Sequence, residues 1–157
     1  MKSMLTCCLV LLCAMALQAQ PLRGKTTPEK RIKVANEQVE LNNTYKALEL
    51  YEESYKEDRD LEVAYKIANL HLLLRDYKRA ARGYRRIVEK RMKKNAINPY
   101  LPDARLTYGR ILKMTEDYPT AKEELRLFIS ESEDPQKIAI AKAELAGAEM
   151  AQNMEIN

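Results

Sequence analysis

Few residues in this 157-residue chain are of a type that does chemistry, and their spacing argues against catalysis. There is one histidine, His71, so a His-based metal or general-base cluster is not expected. The three cysteines, Cys7, Cys8 and Cys13, all fall close to the N-terminus. Neighbouring carboxylates at Glu52-Glu53, Glu123-Glu124 and Glu131/Glu133 are pairs in sequence only, because consecutive helical positions point in different directions. No G-x-S-x-G, H-E-x-x-H or glycine-rich phosphate loop is present. The expectation is a non-enzyme with no cofactor and no metal. His71 is expected to be a satisfied, half-buried core residue rather than a ligand or switch.

Two other patterns suggest binding. Lys33 with Asn36 and Lys66 with Asn69 repeat the same arrangement in two successive stretches. Asn can bond an extended peptide backbone as donor and acceptor, and Lys can meet a carboxylate. The second pattern is charge. Residues 75–94 hold ten basic residues against Asp76 and Glu89, whereas residues 49–62 hold seven acids against Lys56 and Arg59. Either these stretches neutralise one another on adjacent helices, or the basic one is a docking face for an acidic partner or an anionic surface. Arg82, Arg85 and Arg86 lie at its centre. The cations are not interleaved with stacking aromatics, so no nucleic-acid partner is expected.

These residues require elements to hold them, and the composition is that of a helical protein. Hydrophobic residues make up 46% and charged residues 32%, with 4 Gly, 6 Pro, no Trp and one Phe, too few turn formers for a sandwich or barrel. Residues 1–19 read as a secretory signal peptide: Lys2 is the positive end, an apolar run follows, and Ala19 suits a cleavage site. The mature chain would then lack cysteine and carry a charge of +3, from 26 Lys+Arg against 23 Asp+Glu once Lys2 is removed. Residues 20–27 form a polar lead-in. Seven helices and no strands are predicted, over 28–41, 44–57, 61–74, 77–94, 102–114, 118–131 and 135–151. Thr27, Asp60, Asp76, Asp117 and Asp134 stand at their N-caps, and Pro28, Pro102, Pro119 and Pro135 in their first turns.

Small residues recur in evenly spaced pairs: Ala35 with Ala47, Ala68 with Ala80, and Gly109 with Ala121. Two antiparallel helices approach closely only where the crossing lacks bulk. Tyr51, Tyr84 and Leu125 follow each second alanine by one turn. Ser54, Ile87 and Phe128 follow by two, and Val34, Ile67 and Tyr108 precede each first small residue, completing an apolar stripe. The interval from Ala80 to Ala121 is longer than that from Ala47 to Ala80, and residues 93–101 (KKNAINPYL) supply the excess.

The stretches IANLHLLLRDYKRAARGYRRI and YGRILKMTEDYPTAKEELRLF resemble the tetratricopeptide repeat through Ile67, Ala68, Asp76, Tyr77, Ala80 and Tyr84, and through Tyr108, Gly109, Asp117, Tyr118, Ala121 and Phe128. VANEQVELNNTYKALELYEES is a third copy, with Thr44 in place of the turn tyrosine. The repeat-opening aromatic is replaced by Arg31, Ala64 and Arg105, and Met92 stands where the second repeat would close on proline. The resemblance implies an all-α solenoid of three hairpins, at about 28–60, 61–94 and 102–134. A final helix over 135–152 then caps the third repeat through Ile138, Ala141, Leu145 and Ala148 or Met150, or opens a fourth. It also implies a concave protein-binding groove lined by Ile32, Lys33, Asn36, Tyr65, Lys66, Asn69, Leu72, Leu106, Arg110 and Lys113.

The leader, the elongated linker and the Ala-rich last helix are further similar to the N-terminal repeats of exported OmpA-like envelope proteins, a group that includes a component of type IX secretion. In that group a β-propeller and a peptidoglycan-binding domain follow the repeats. Here the chain stops at Asn157, so that resemblance implies a stand-alone relative or a truncated product. Peptidoglycan binding is not carried over. The implied role is a protein-interaction scaffold in the periplasm or on the periplasmic face of the outer membrane, peripheral to that membrane. The rival role is a structural subunit of a larger envelope complex that docks through helix 77–94.

Overall fold

The computed structural model describes residues 26–90 and 97–156. Seven helices follow one another: α1 (Pro28–Glu40), α2 (Thr44–Glu57), α3 (Leu61–Leu73), α4 (Tyr77–Val88), α5 (Leu101–Met114), α6 (Tyr118–Glu131) and α7 (Pro135–Ile156). Among the described residues there is no strand. The expected leader with Cys7, Cys8 and Cys13, and Met92, Lys93 and Lys94 of the basic stretch, lie outside the described residues.

Five of the seven helix starts carry a side-chain cap, Thr27 at α1 among them, whereas Asn43 and Tyr100 before α2 and α5 make no such bond. The Asp60, Asp76 and Asp117 carboxylates accept the N–H of the residue three along, from Val63, Arg79 and Thr120, at 2.9, 3.0 and 3.3 Å. Asp134 accepts from the Gln136 and Lys137 amides at the start of α7. The hairpin turns share one device. Asn42, Arg75 and Glu116 have φ of 58°, 57° and 67°, and the next residue's N–H returns to the carbonyl of Gln38, His71 or Leu112. This is the helix-ending motif that normally places glycine or asparagine in the left-handed position. Only Asn42 fits that preference, so Arg75 and Glu116 hold a strained backbone.

The helices pair as α1–α2, α3–α4 and α5–α6, and α7 packs on α6. Ala35, Ala47, Ala68, Ala80, Gly109 and Ala121 are all buried at these contacts. The tightest approach in the second hairpin involves a further residue, Gly83. A Cβ there would stand 2.8 Å from the Ala68 Cβ and 3.3 Å from its Cα. A Cβ on Gly109 would stand 2.8 Å from Leu125 Cγ.

Three apolar clusters run along the molecule, each shared between successive units. One joins Ala35, Ala47, Leu48 and Tyr51 to Val63 and Leu70 of the next hairpin. The second joins Ala68, Ala80, Tyr84 and Ile87 to Ala104, Tyr108, Ile111 and Ala121. The third places Leu106, Leu125 and Phe128 beneath Ala141 of α7. A hairpin therefore cannot hide its apolar face alone, and its neighbour covers it. α7 contributes Ala141 and Ala148 to burial while Met150 stays exposed, so Ala148 takes the contact left open between the two. Val34, expected in the stripe, is also exposed, whereas Tyr108 is buried and Ile67 half-buried.

The absent repeat-opening aromatics have a structural replacement. Arg31 reaches across its hairpin to Glu57 at 2.7 Å and also donates to the Thr26 carbonyl. Arg105 makes the equivalent reach to Glu131 and lies 3.2 Å from Glu124. Both arginines tie the start of a first helix to the end of its partner through a mostly buried stem. Ala64 leaves the middle hairpin without this tie. Burial, opposed by Arg105, holds the Glu124 carboxyl above the ordinary carboxylate range.

The helix boundaries depart from expectation at five places, two of them the ends of α1 and α3, which stop one residue early at Glu40 and Leu73. α4 ends at Val88 rather than continuing to 94: Glu89 is its C-cap, and the Lys90 N–H turns back three residues to the Ile87 carbonyl at 3.3 Å instead of making the helical bond. Buried Asn98 also donates its side-chain amide to the Ile87 carbonyl at 3.1 Å, and its Oδ1 accepts the Tyr100 amide at 3.1 Å. α5 begins at Leu101, one residue early, and α7 extends to Ile156, past the expected 151 or 152.

Candidate binding surfaces

The first helices α1 and α3 carry the repeated asparagines, and each is held by a tyrosine from the second helix of its hairpin. Tyr51 donates its hydroxyl to Asn36 Oδ1 at 2.6 Å, and Tyr84 donates to Asn69 Oδ1. Lys66 also donates to Asn36 Oδ1, at 3.1 Å, and pairs with Glu62 at 2.8 Å. The asparagine oxygens expected to meet a peptide are thus occupied from within. The side chains are locked into one orientation instead. Burial pushes the Tyr84 hydroxyl well above its ordinary value, with Tyr65 adding to the effect, so it stays a donor at any physiological pH. Burial alone would lower the Lys66 ammonium, but Glu62 and Tyr51 outweigh it and raise it.

Between α1 and α3 these groups border an open groove of about 460 Å³, lined by Asn36, Val39, Tyr51, Lys66, Asn69 and Leu70, with Glu40 at its edge. Lys33 is exposed on α1, Ile32 is half-buried, and Leu72 packs partly into the core. Tyr65 continues the surface toward α5. Its ring stacks on Tyr100 at 5.1 Å and meets the Tyr84 edge at 6.1 Å.

The third repeat differs. Arg110 and Lys113, expected to face a partner, both donate to the Glu144 carboxylate of α7, Arg110 at 3.1 Å. Those cations hold Glu144 below the ordinary carboxylate range despite its burial. Leu106 is buried beneath α7 rather than lining a groove. Leu125 stands where the first two repeats place the tyrosine, so Arg110 has no hydroxyl to clasp and turns to α7. The accessible groove is therefore confined to α1 and α3.

The second helices present the charge asymmetry. The expectation that acidic α2 and basic α4 neutralise each other is not met by contact. Glu49, Glu52, Glu57 and Glu62 pair with Lys46, His71, Arg31 and Lys66, and none reaches α4. On α4, Arg79 lies 3.4 Å from Asp76 and Arg85 lies 3.7 Å from Glu89. Lys78, Arg82 and Arg86 form no ion pair among the described residues. His71, expected to be half-buried and satisfied, is instead fully buried, with Nε2 3.5 Å from Glu52 and Nδ1 without a hydrogen-bond partner.

No protein-family model and no curated protein sequence matches the chain. Among solved structures, it is similar to the crystal structure of the tetratricopeptide repeat domain of P58(IPK), with a TM-score of 0.66 and 16% identity. The match covers 82% of this chain and 34% of that one. The fold is a tetratricopeptide-type solenoid. The chain spans about a third of the length of that structure, so the likeness concerns the architecture of the solenoid alone. Sequence reasoning missed Gly83 at the second crossing and Glu144 as the partner of two expected groove cations. The signal for Gly83 was present, as it lies one turn past Ala80 on a helix that must nest closely. Nothing local marks Glu144, which meets its partners from a different helix.

Proposed function

We propose that the chain is a non-catalytic scaffold that holds a protein segment in the groove between α1 and α3. What carries this reading is the pair of matching Tyr–Asn clasps, which fix Asn36 and Asn69 beside an open apolar floor with Lys66 at its rim. A rigid groove with an exposed Val39 and a charged rim suits an extended or helical peptide carrying a carboxylate opposite Lys66. The leader read in residues 1–19 supports export to the periplasm or the periplasmic face of the outer membrane. No described helix is long and apolar enough to cross a membrane. The resemblance to OmpA-like and type IX secretion-associated proteins supports a partner in the cell envelope.

Asn69→Ala would disturb the Tyr84 clasp and confound fold with function, so the test uses the exposed Val39 and the half-buried rim residue Lys66, neither of which holds a clasp tyrosine. Lys66→Glu combined with Val39→Asp should leave the helical signal and melting curve near wild type while reducing partner capture from envelope extracts. Undiminished capture by a folded double variant would refute the groove assignment.

A second reading is favoured by the cations of α4, of which Arg82 and Arg86 have no carboxylate partner among the described residues: a structural subunit that docks through Arg82, Arg85 and Arg86. Charge reversal at those three positions separates the two, because assembly is lost only under the docking reading.

A further inference from the structure

A separate cavity of about 350 Å³ lies on the opposite side of α3, between α2 and α4. Its size is at the lower end of the roughly 300–1,000 Å³ typical of small-ligand pockets. Five cations border it: Lys56 and Arg59 from α2 and the turn after it, and Arg79, Arg82 and Arg86 from α4. Glu52 is the single carboxylate in its lining, and it is turned to His71. Lys56, Arg59, Arg82 and Arg86 have no carboxylate partner among the described residues.

The cations are arranged around an aromatic wall. The Arg59 guanidinium stands 5.2 Å from the Tyr55 ring centroid and that of Arg86 stands 5.8 Å away, so one ring orients guanidiniums from two hairpins. Gly83, whose missing side chain lets α4 close on Ala68 of α3, forms part of the lining. The repeat-equivalent positions in the other hairpins carry Leu50 and Glu124. His71 forms part of the lining, 5% exposed, with Nδ1 buried and without a hydrogen-bond partner.

From this we infer that the α2–α4 cavity is a binding site for a compact phosphate-class anion, such as a diphosphate or a phosphate monoester. The inference is independent of the groove reading. Guanidiniums match phosphate oxygens in bidentate geometry, and four unpaired cations around so small a space oppose one another until a multiply charged ligand enters. The phosphate could arrive free in solution or as a lipid headgroup, and the two sources need separate arms.

Calorimetric titration of the chain with pyrophosphate, against citrate at matched ionic strength, tests the site. A parallel arm measures cosedimentation with phosphatidic-acid vesicles and with phosphatidylcholine vesicles. Pyrophosphate should bind at least about ten-fold tighter than citrate, and Arg82→Ala with Arg86→Ala should weaken it by about ten-fold or more. The charge-matched pair Arg85→Ala with Arg126→Ala, outside the cavity, should change it less than about two-fold. Lys56→Gln with Arg59→Gln repeats the test from exposed positions on the other wall, should the α4 pair disturb folding. Capture by phosphatidic-acid vesicles alone, lost in the cavity variants, would support the site and assign the phosphate to a lipid. Equal weakening by the cavity and control pairs, or citrate binding as tightly as pyrophosphate with no selective vesicle capture, would overturn the inference.

Discussion

Adding one methyl group at each of two glycines should give opposite results. Gly83 and Gly147 are both helical, and replacing either with alanine contributes about 1 kcal/mol of helix propensity. At Gly83 the new Cβ would sit 2.8 Å from the Ala68 Cβ and 3.3 Å from its Cα, atoms fixed to the α3 backbone. Relief requires α3 and α4 to move apart, which opens the cluster around Tyr84 and Ile87 and costs about 1–3 kcal/mol. At Gly147 the nearest atoms are Lys113 Nζ at 3.5 Å and its Cδ at 3.9 Å, an ordinary contact with a flexible side chain. Propensity is common to both variants, so the difference between their unfolding free energies isolates the crossing: Gly147→Ala should be more stable than Gly83→Ala by about 1–3 kcal/mol. Urea unfolding followed by circular dichroism at fixed m-value measures it. Equal midpoints for the two variants would refute the close-crossing argument.

Three further outcomes follow from named contacts. Arg75→Gly and Glu116→Gly each remove a left-handed non-glycine residue and should raise stability by about 0.5–1 kcal/mol, read from the same urea curves. Asp76→Ala leaves the α4 start without its cap and should cost about 1 kcal/mol, while Asp76→Asn retains most of it. The Glu144 carboxyl is held below its ordinary value by Lys113 and Arg110, so its contribution is present above the ordinary glutamate range and is lost as pH falls through the depressed value. Glu144→Gln should flatten that part of the stability profile between neutral pH and acid, removing about 1 kcal/mol at neutral pH.

The elements that were legible in the sequence are those fixed by neighbours. The aspartate caps act on amides within the first turn, and the alanine pairs recur with the repeat, so α1 to α6 were predicted close to their observed positions. The end of α4 was not, because no local stop signal stands at Val88, and the Asn98 amide reaches the Ile87 carbonyl from the far side of the linker. The arginines at 31 and 105 looked like simple departures from the repeat. Their meaning depends on Glu57 and Glu131 at the far ends of the partner helices, which only a formed hairpin brings within reach. Of the expected groove residues, Asn36, Lys66 and Asn69 border an open cleft between α1 and α3, whereas those of the third repeat do not. Arg110 and Lys113 lie on the third repeat's first helix, and only the packing of α7 shows that Glu144 has claimed them. The cavity beside α4 was invisible for a similar reason: Tyr55 and Arg86 become neighbours only when two hairpins stack.

The most direct test of the scaffold account is site-specific photocrosslinking in cells, with p-benzoylphenylalanine placed at Val39 in one strain and at Arg85 in another. The account predicts a discrete protein adduct from Val39, abolished when Lys66→Glu is added, and none of that mass from Arg85. A defined adduct from Arg85 with nothing from Val39 would contradict it and transfer the partner surface to α4.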